Sequence, residues 1–97
     1  MQLTTLFALA LVSGSSLVAA ANCQTGLHYC GYSLLARGNY FDQILAELKN
    51  RGQPTGDTWI RNSLFYCKGG SNGDLIWQHK CTDNRCVSGG SNSDHCE

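Results

Sequence analysis

All six cysteines of this 97-residue chain lie at or beyond Cys23, at positions Cys23, Cys30, Cys67, Cys81, Cys86 and Cys96. An even set, packed into a stretch whose hydrophobic core alone supplies only about 3–5 kcal/mol, is the pattern of an oxidised frame of three disulfides. Structural zinc is the competing use. Cys81-x4-Cys86 with His95-Cys96 lacks a paired C-x2-C, and an oxidising route out of the cell disfavours free thiolates, so no metal and no cofactor are expected. Two cysteines three or more rungs apart in one hairpin stand too far apart to bond, so Cys30 is expected to reach Cys67 or Cys81.

Residues 1–21 read as a signal peptide. They contain no acidic residue, and the apolar run Leu6-Phe7-Ala8-Leu9-Ala10-Leu11-Val12 gives way to Ser13-Gly14 and then to Ala19-Ala20-Ala21, an A-x-A cleavage pattern. The run falls short of the roughly 20 apolar residues that cross a bilayer core. Cleavage before Asn22, or one residue earlier, leaves a single secreted domain over residues 22–97. Seven Lys and Arg balance seven Asp and Glu, and only 14% of residues are charged, so neither nucleic-acid binding nor adsorption to anionic lipid has an electrostatic basis.

One amphipathic helix is expected over residues 40–51. Tyr40 or Phe41, Ile44, Leu45 and Leu48 recur at three- and four-residue steps, while Gln43, Glu47 and Asn50 point away from that stripe. Asn39 is placed to cap its start and Gly52 to take the left-handed position after its end, with Pro54 preventing continuation. Glu47 and Arg51 read as an ion pair on a solvated face. Residues 60–67 and 75–81 then form a β-hairpin around the turn formers of residues 68–74. Asn72-Gly73 favours a two-residue turn and Gly69-Gly70 permits a longer one, so the register stays open: with two or four loop residues, Phe65, Cys67, Ile76 and Gln78 share one face and Tyr66, Trp77 and His79 the other, whereas a loop one residue different interchanges one strand's faces. Residues 27–35 read as a strand or extended arm, with Gly31 at a bulge. From Thr82 onward Ser, Gly, Asn and Asp dominate, and cysteines alone hold the segment down. The fold class is therefore α+β, a small disulfide-stapled domain with the helix laid on a small antiparallel sheet.

Several activities have partial support. His28, Glu47, His79, His95, Arg61 and Arg85 could supply acid/base chemistry on a phosphodiester, as in small secreted ribonucleases, but a count of residues is not a site. Lys68 before Gly69-Gly70, or Arg85 before Cys86, could enter a trypsin-like pocket as a protease inhibitor does. Trp59, Trp77, Tyr29 and Tyr32 could stack on sugar rings. No activated nucleophile stands out, and no catalytic residue is assigned.

The pattern Cys23-x-x-Gly26-Leu27-x-Tyr29-Cys30-Gly31-Tyr32-x-Leu34-Leu35-x-x-Gly38-x-Tyr40, then Ser63-Leu64-Phe65-x-Cys67, Ile76, Cys81, Cys86-x-x-Gly89-Gly90 and Asp94-x-Cys96, resembles a family of small secreted cysteine-rich proteins of filamentous ascomycete fungi. The resemblance implies an effector-like factor of plant- or insect-associated fungi and carries over no catalytic residue. Together with export and a loop-rich frame of 11 Gly, it points to a non-enzymatic, monomeric interaction protein that acts on a host protein or cell-surface component. The candidate contact positions are Lys68, Asn72, Asp74, Trp77 and Arg85, on the turn of residues 68–74, the adjoining strand and the segment of residues 82–94.

Overall fold

The computed structural model describes residues 22–97, and the expected signal peptide lies outside the described residues. The chain runs β1 (His28–Cys30), α1 (Gly31–Arg37), α2 (Phe41–Asn50), α3 (Asp57–Asn62), β2 (Ser63–Gly69), β3 (Asp74–Lys80), a 3-10 turn (Thr82–Asn84), β4 (Cys86–Val87) and β5 (His95–Cys96). Strands β1, β2 and β3 form an antiparallel sheet in that order, and β4 pairs with β5 in a separate ribbon. This is the expected α+β architecture, with two further helices.

Helix α2 forms where the apolar periodicity placed it. Its buried stripe is Ile44 and Leu48, extended by Tyr40 just before the helix, whereas Phe41 stays 47% exposed. The start has no side-chain cap, and Asn39 does not serve as one. The end follows expectation: Gly52 takes φ +69, its N–H bonds the Lys49 carbonyl and the Gln53 N–H bonds the Leu48 carbonyl, which closes the last turn.

Two expected strands are partly helical. The extended arm shortens to β1, and Gly31 begins α1. A Cβ at Gly31 would stand 1.6 Å from the Ile60 carbonyl oxygen, so glycine is what lets α1 meet α3 backbone to backbone. The expected strand of residues 60–67 begins only at Ser63. Asp57 in the first turn of α3 and its (i, i+4) contact with Arg61 at 3.1 Å support a short helix that tucks Ile60 into the core.

The hairpin register, left open by the sequence, is set by two bulges. Gly69 pairs with Asp74 across a four-residue loop, but Lys68 is an extra residue on β2 and Gln78 an extra residue on β3. The two bulges offset each other, so only the pairs between them, Phe65 with Trp77, Tyr66 with Ile76 and Cys67 with Leu75, are displaced by one. Phe65, Cys67, Leu75 and Trp77 therefore share the core face, and Ile76 turns to the other.

Each face of the sheet has its own cover. On one, Phe65, Leu34, Ile44 and Leu48 are fully buried with Tyr40, Ile60 and Leu75 around them, each large side chain contributing roughly 1.5–3 kcal/mol. On the other, Cys30, Leu64, Cys81 and Cys86 form a small cluster under the β4–β5 ribbon. The bridges are Cys23–Cys67, Cys30–Cys86 and Cys81–Cys96. Cys30 thus reaches neither Cys67 nor Cys81: the ribbon folds back over the sheet and presents Cys86 to the end of β1. Asp94 makes this return possible. It is 4% exposed, and its carboxylate accepts from the Cys30 N–H at 2.8 Å and the Gly89 N–H at 2.7 Å.

Candidate binding site

Helix α2 runs along the free outer edge of β3, and an open cleft of about 240 Å³ lies between them, lined by Gln43, Ala46, Glu47, Asn50, Lys68, Asp74 and Leu75. The helix wall is fastened to the strand by side chains. Glu47 accepts from the Trp77 N–H at 2.9 Å and from Arg51 Nε at 2.8 Å, while Gln43 Nε2 donates to the Gly73 carbonyl at 3.3 Å. Glu47 therefore does not point away into solvent: its side chain is 14% exposed against 47% for Arg51. Gln43 and Glu47 flank the Ile44–Leu48 stripe one position earlier, a spacing that could have shown them at the rim of the buried face.

The hairpin wall is fastened from below. The Tyr40 hydroxyl donates to the Gly73 carbonyl at 3.1 Å and accepts from the Cys23 N–H at 2.8 Å, which ties three distant segments at one point. Gly73 takes φ +63, and a Cβ there would meet that hydroxyl at 2.3 Å, so the turn requires glycine on two counts. Cys23–Cys67 lies beside the same junction and fixes β2 next to the Lys68 bulge. What remains free in the cleft is a mixed polar set: exposed Lys68, Asp74 and Asn50, two of them opposite in charge, around the partly apolar floor of Ala46 and Leu75.

Of the five expected contact residues, Lys68 and Asp74 come together in this cleft, and Asn72 is exposed at the hairpin tip nearby. Trp77 lies apart. Its ring stacks on Trp59 at 6.3 Å and donates its indole N–H to Ser63 Oγ at 3.0 Å, with Lys80 Nζ 5.8 Å from the Trp59 ring centre. Arg85 belongs to the ribbon, 3.6 Å from Glu97. Tyr29 and Tyr32 also use their hydroxyls internally, Tyr29 accepting from the Gln24 N–H and Tyr32 donating to the Cys86 carbonyl. The four rings do not gather on one surface: Trp59 and Trp77 stack on each other, Tyr29 is buried in the helix-side core and Tyr32 packs on the ribbon-side cluster.

The residues considered for acid/base chemistry are divided between the two faces of the sheet. His28 packs on Tyr66 and His79 lies against Cys96, both on the ribbon side of the sheet, whereas Glu47 lies on the helix side. Among the described residues there is no group of three or more His, Cys, Asp or Glu side chains that could hold a metal, and no helix is long and apolar enough to cross a membrane. Comparison of the chain with family models, with curated proteins and with solved structures finds no match.

Proposed function

We propose that the protein is an exported, non-enzymatic binding protein of the effector-like kind, and that it engages a host protein or surface component through the cleft between α2 and β3. The observation that carries this reading is the contrast within the cleft. Gln43 and Glu47 are spent holding the walls together, while Lys68, Asp74 and Asn50 are left exposed on a frame fixed by Cys23–Cys67 and the Tyr40 junction. Polar groups carried on a rigid backbone, and without internal partners among the described residues, can meet a partner with little backbone ordering, so that only their side chains lose freedom on binding. The leader-like residues 1–21, the three bridges and the resemblance to small secreted cysteine-rich fungal proteins support an extracellular setting.

The test is affinity capture from host apoplastic or tissue extract by the oxidised protein, beside a Lys68→Glu/Asp74→Lys variant whose net charge is unchanged. A specific partner retained by the parent and lost by the variant is the expected result. A partner held equally by both removes the cleft from the interface. Because amides and carboxylates such as Asn50 and Asp74 also suit sugar hydroxyls, the same pair is to be tested on insoluble chitin and glucan, where binding by the parent alone would make the partner a glycan.

A further inference from the structure

Beyond the cleft reading and independent of it, we propose that Cys81–Cys96 is an exchange-labile disulfide whose Cys96 sulfur is a site of modification by low-molecular-weight thiols. The three bridges are unequally protected. Cys23, Cys67, Cys30 and Cys86 are all buried, at 7%, 0%, 0% and 7% exposure, so both of their bridges are shielded from solvent. Cys81 is likewise closed at 1%, but Cys96 is partly exposed on the two-residue strand β5. Thiol–disulfide exchange needs an in-line approach to one sulfur, and access decides which sulfur is attacked.

Chemistry adds to access. His79 Nε2 lies 3.3 Å from Cys96 Sγ. A disulfide sulfur carries no proton, so a hydrogen bond in this contact is one donated by the imidazole in its Nε2-protonated tautomer. That donor serves the reduced state better than the oxidised one, because a thiolate accepts a stronger hydrogen bond than a neutral disulfide sulfur. Stabilising the reduced form is what makes a disulfide easy to reduce. The other two bridges have no such contact with a histidine side chain among the described residues.

The steps balance as follows. A thiolate RS⁻ attacks Cys96 Sγ, the bond to Cys81 breaks, and Cys81 leaves as a thiolate that takes a proton from solvent. The product carries R–S–S–Cys96. A second RS⁻ attacks the R sulfur of this mixed disulfide, forms RSSR and releases Cys96 as a thiolate beside the His79 N–H. Two thiols are oxidised and one bridge is reduced. The β5 strand is then free of its covalent tie, while Cys30–Cys86 still fastens β4 to the sheet.

The experiment treats the oxidised protein, without denaturant, with graded ratios of reduced to oxidised glutathione, traps it with an alkylating agent and maps it by mass spectrometry. The expected first species carries glutathione on Cys96 or has Cys81 and Cys96 alkylated, with the other two bridges intact. Opening of Cys23–Cys67 or Cys30–Cys86 first, opening of all three together, or glutathione on Cys81 overturns the proposal. His79→Ala gives the second arm. If His79 stabilises the thiolate, the variant's bridge becomes harder to reduce, by roughly tenfold in its exchange equilibrium with glutathione. A residue that merely shielded the bridge would shift it the other way. An unchanged or easier reduction therefore removes His79 from the mechanism, and a variant that fails to oxidise leaves the wild-type opening order as the deciding result.

Discussion

The two faces of the same three-stranded sheet are held by different physics. On the helix side, Phe65, Leu34, Ile44 and Leu48 meet with no exposure at all, and stability comes from apolar area taken out of water. On the ribbon side the only fully apolar member of the cluster is Leu64, and what keeps β4 and β5 in place is Cys30–Cys86, Cys81–Cys96 and the carboxylate of Asp94. Where a chain has helices to spare, burial does the fastening; where it has only Gly, Ser and Asn, cross-links and a buried hydrogen-bond acceptor take over. The helix side should therefore fail cooperatively and the ribbon side locally.

The largest expected effect is full reduction. The bridges span 44, 56 and 15 residues, each worth about 3–4 kcal/mol in the chain-entropy model, which together rival the whole stability of a small domain. Reduced protein should lose its far-UV helix signal, and a reduced sample that melts like the oxidised one would show that the helix side stands alone. Next comes Phe65→Ala, expected to cost about 3–5 kcal/mol in urea unfolding as a single transition. Asp94→Ala leaves the Cys30 and Gly89 N–H groups without their acceptor and should cost about 1–3 kcal/mol. Hydrogen exchange should place that loss in the ribbon, and if the amides of α2 lose protection equally, the two faces are one cooperative unit. The smallest effect is Glu47→Gln, which keeps an acceptor for the Trp77 N–H and gives up only a half-exposed ion pair with Arg51. Its cost should stay within about 0.5 kcal/mol by thermal melting, and a larger loss would mean the charge itself secures α2 to the edge of β3.

Much of the helix side was legible in the sequence, because α2 announces itself through Ile44 and Leu48 four apart and through Gly52 and Pro54 at its end. The short elements were not. Residues 31–37 and 57–62 are each under two turns long, so aromatic and β-branched neighbours outweighed their periodicity, and Gly31 looked like a strand bulge until Ile60 was seen against it. The register stays open in the sequence for a related reason. Turn chemistry bears on how many residues lie in the loop, yet Lys68 and Gln78 shift the pairing inside the strands: Gly69, at φ +94, borders the first bulge but reads equally as a turn residue, and no glycine borders the second. Of the candidate site, Lys68 and Asp74 were visible as turn neighbours. Gln43 and Glu47 were not, since a polar residue beside an apolar stripe reads as solvent-facing until another edge is brought against it. The pairing of Cys30 with Cys86 depends on a return path set by Asp94, and no local pattern encodes that path.

The order of the bridges along the chain has a bearing on proteolysis. The spans 23–67, 30–86 and 81–96 overlap in succession, so every peptide bond from Cys23 to Cys96 lies inside at least one of them. A protease that severs the exposed loop at Gly70–Asn72, the bend before α3 or the turn at Asp83–Asn84 produces two polypeptides but still one molecule. Damage by a protease is thereby converted from loss of a fragment into a nick, and the cleft between α2 and β3 keeps both of its walls.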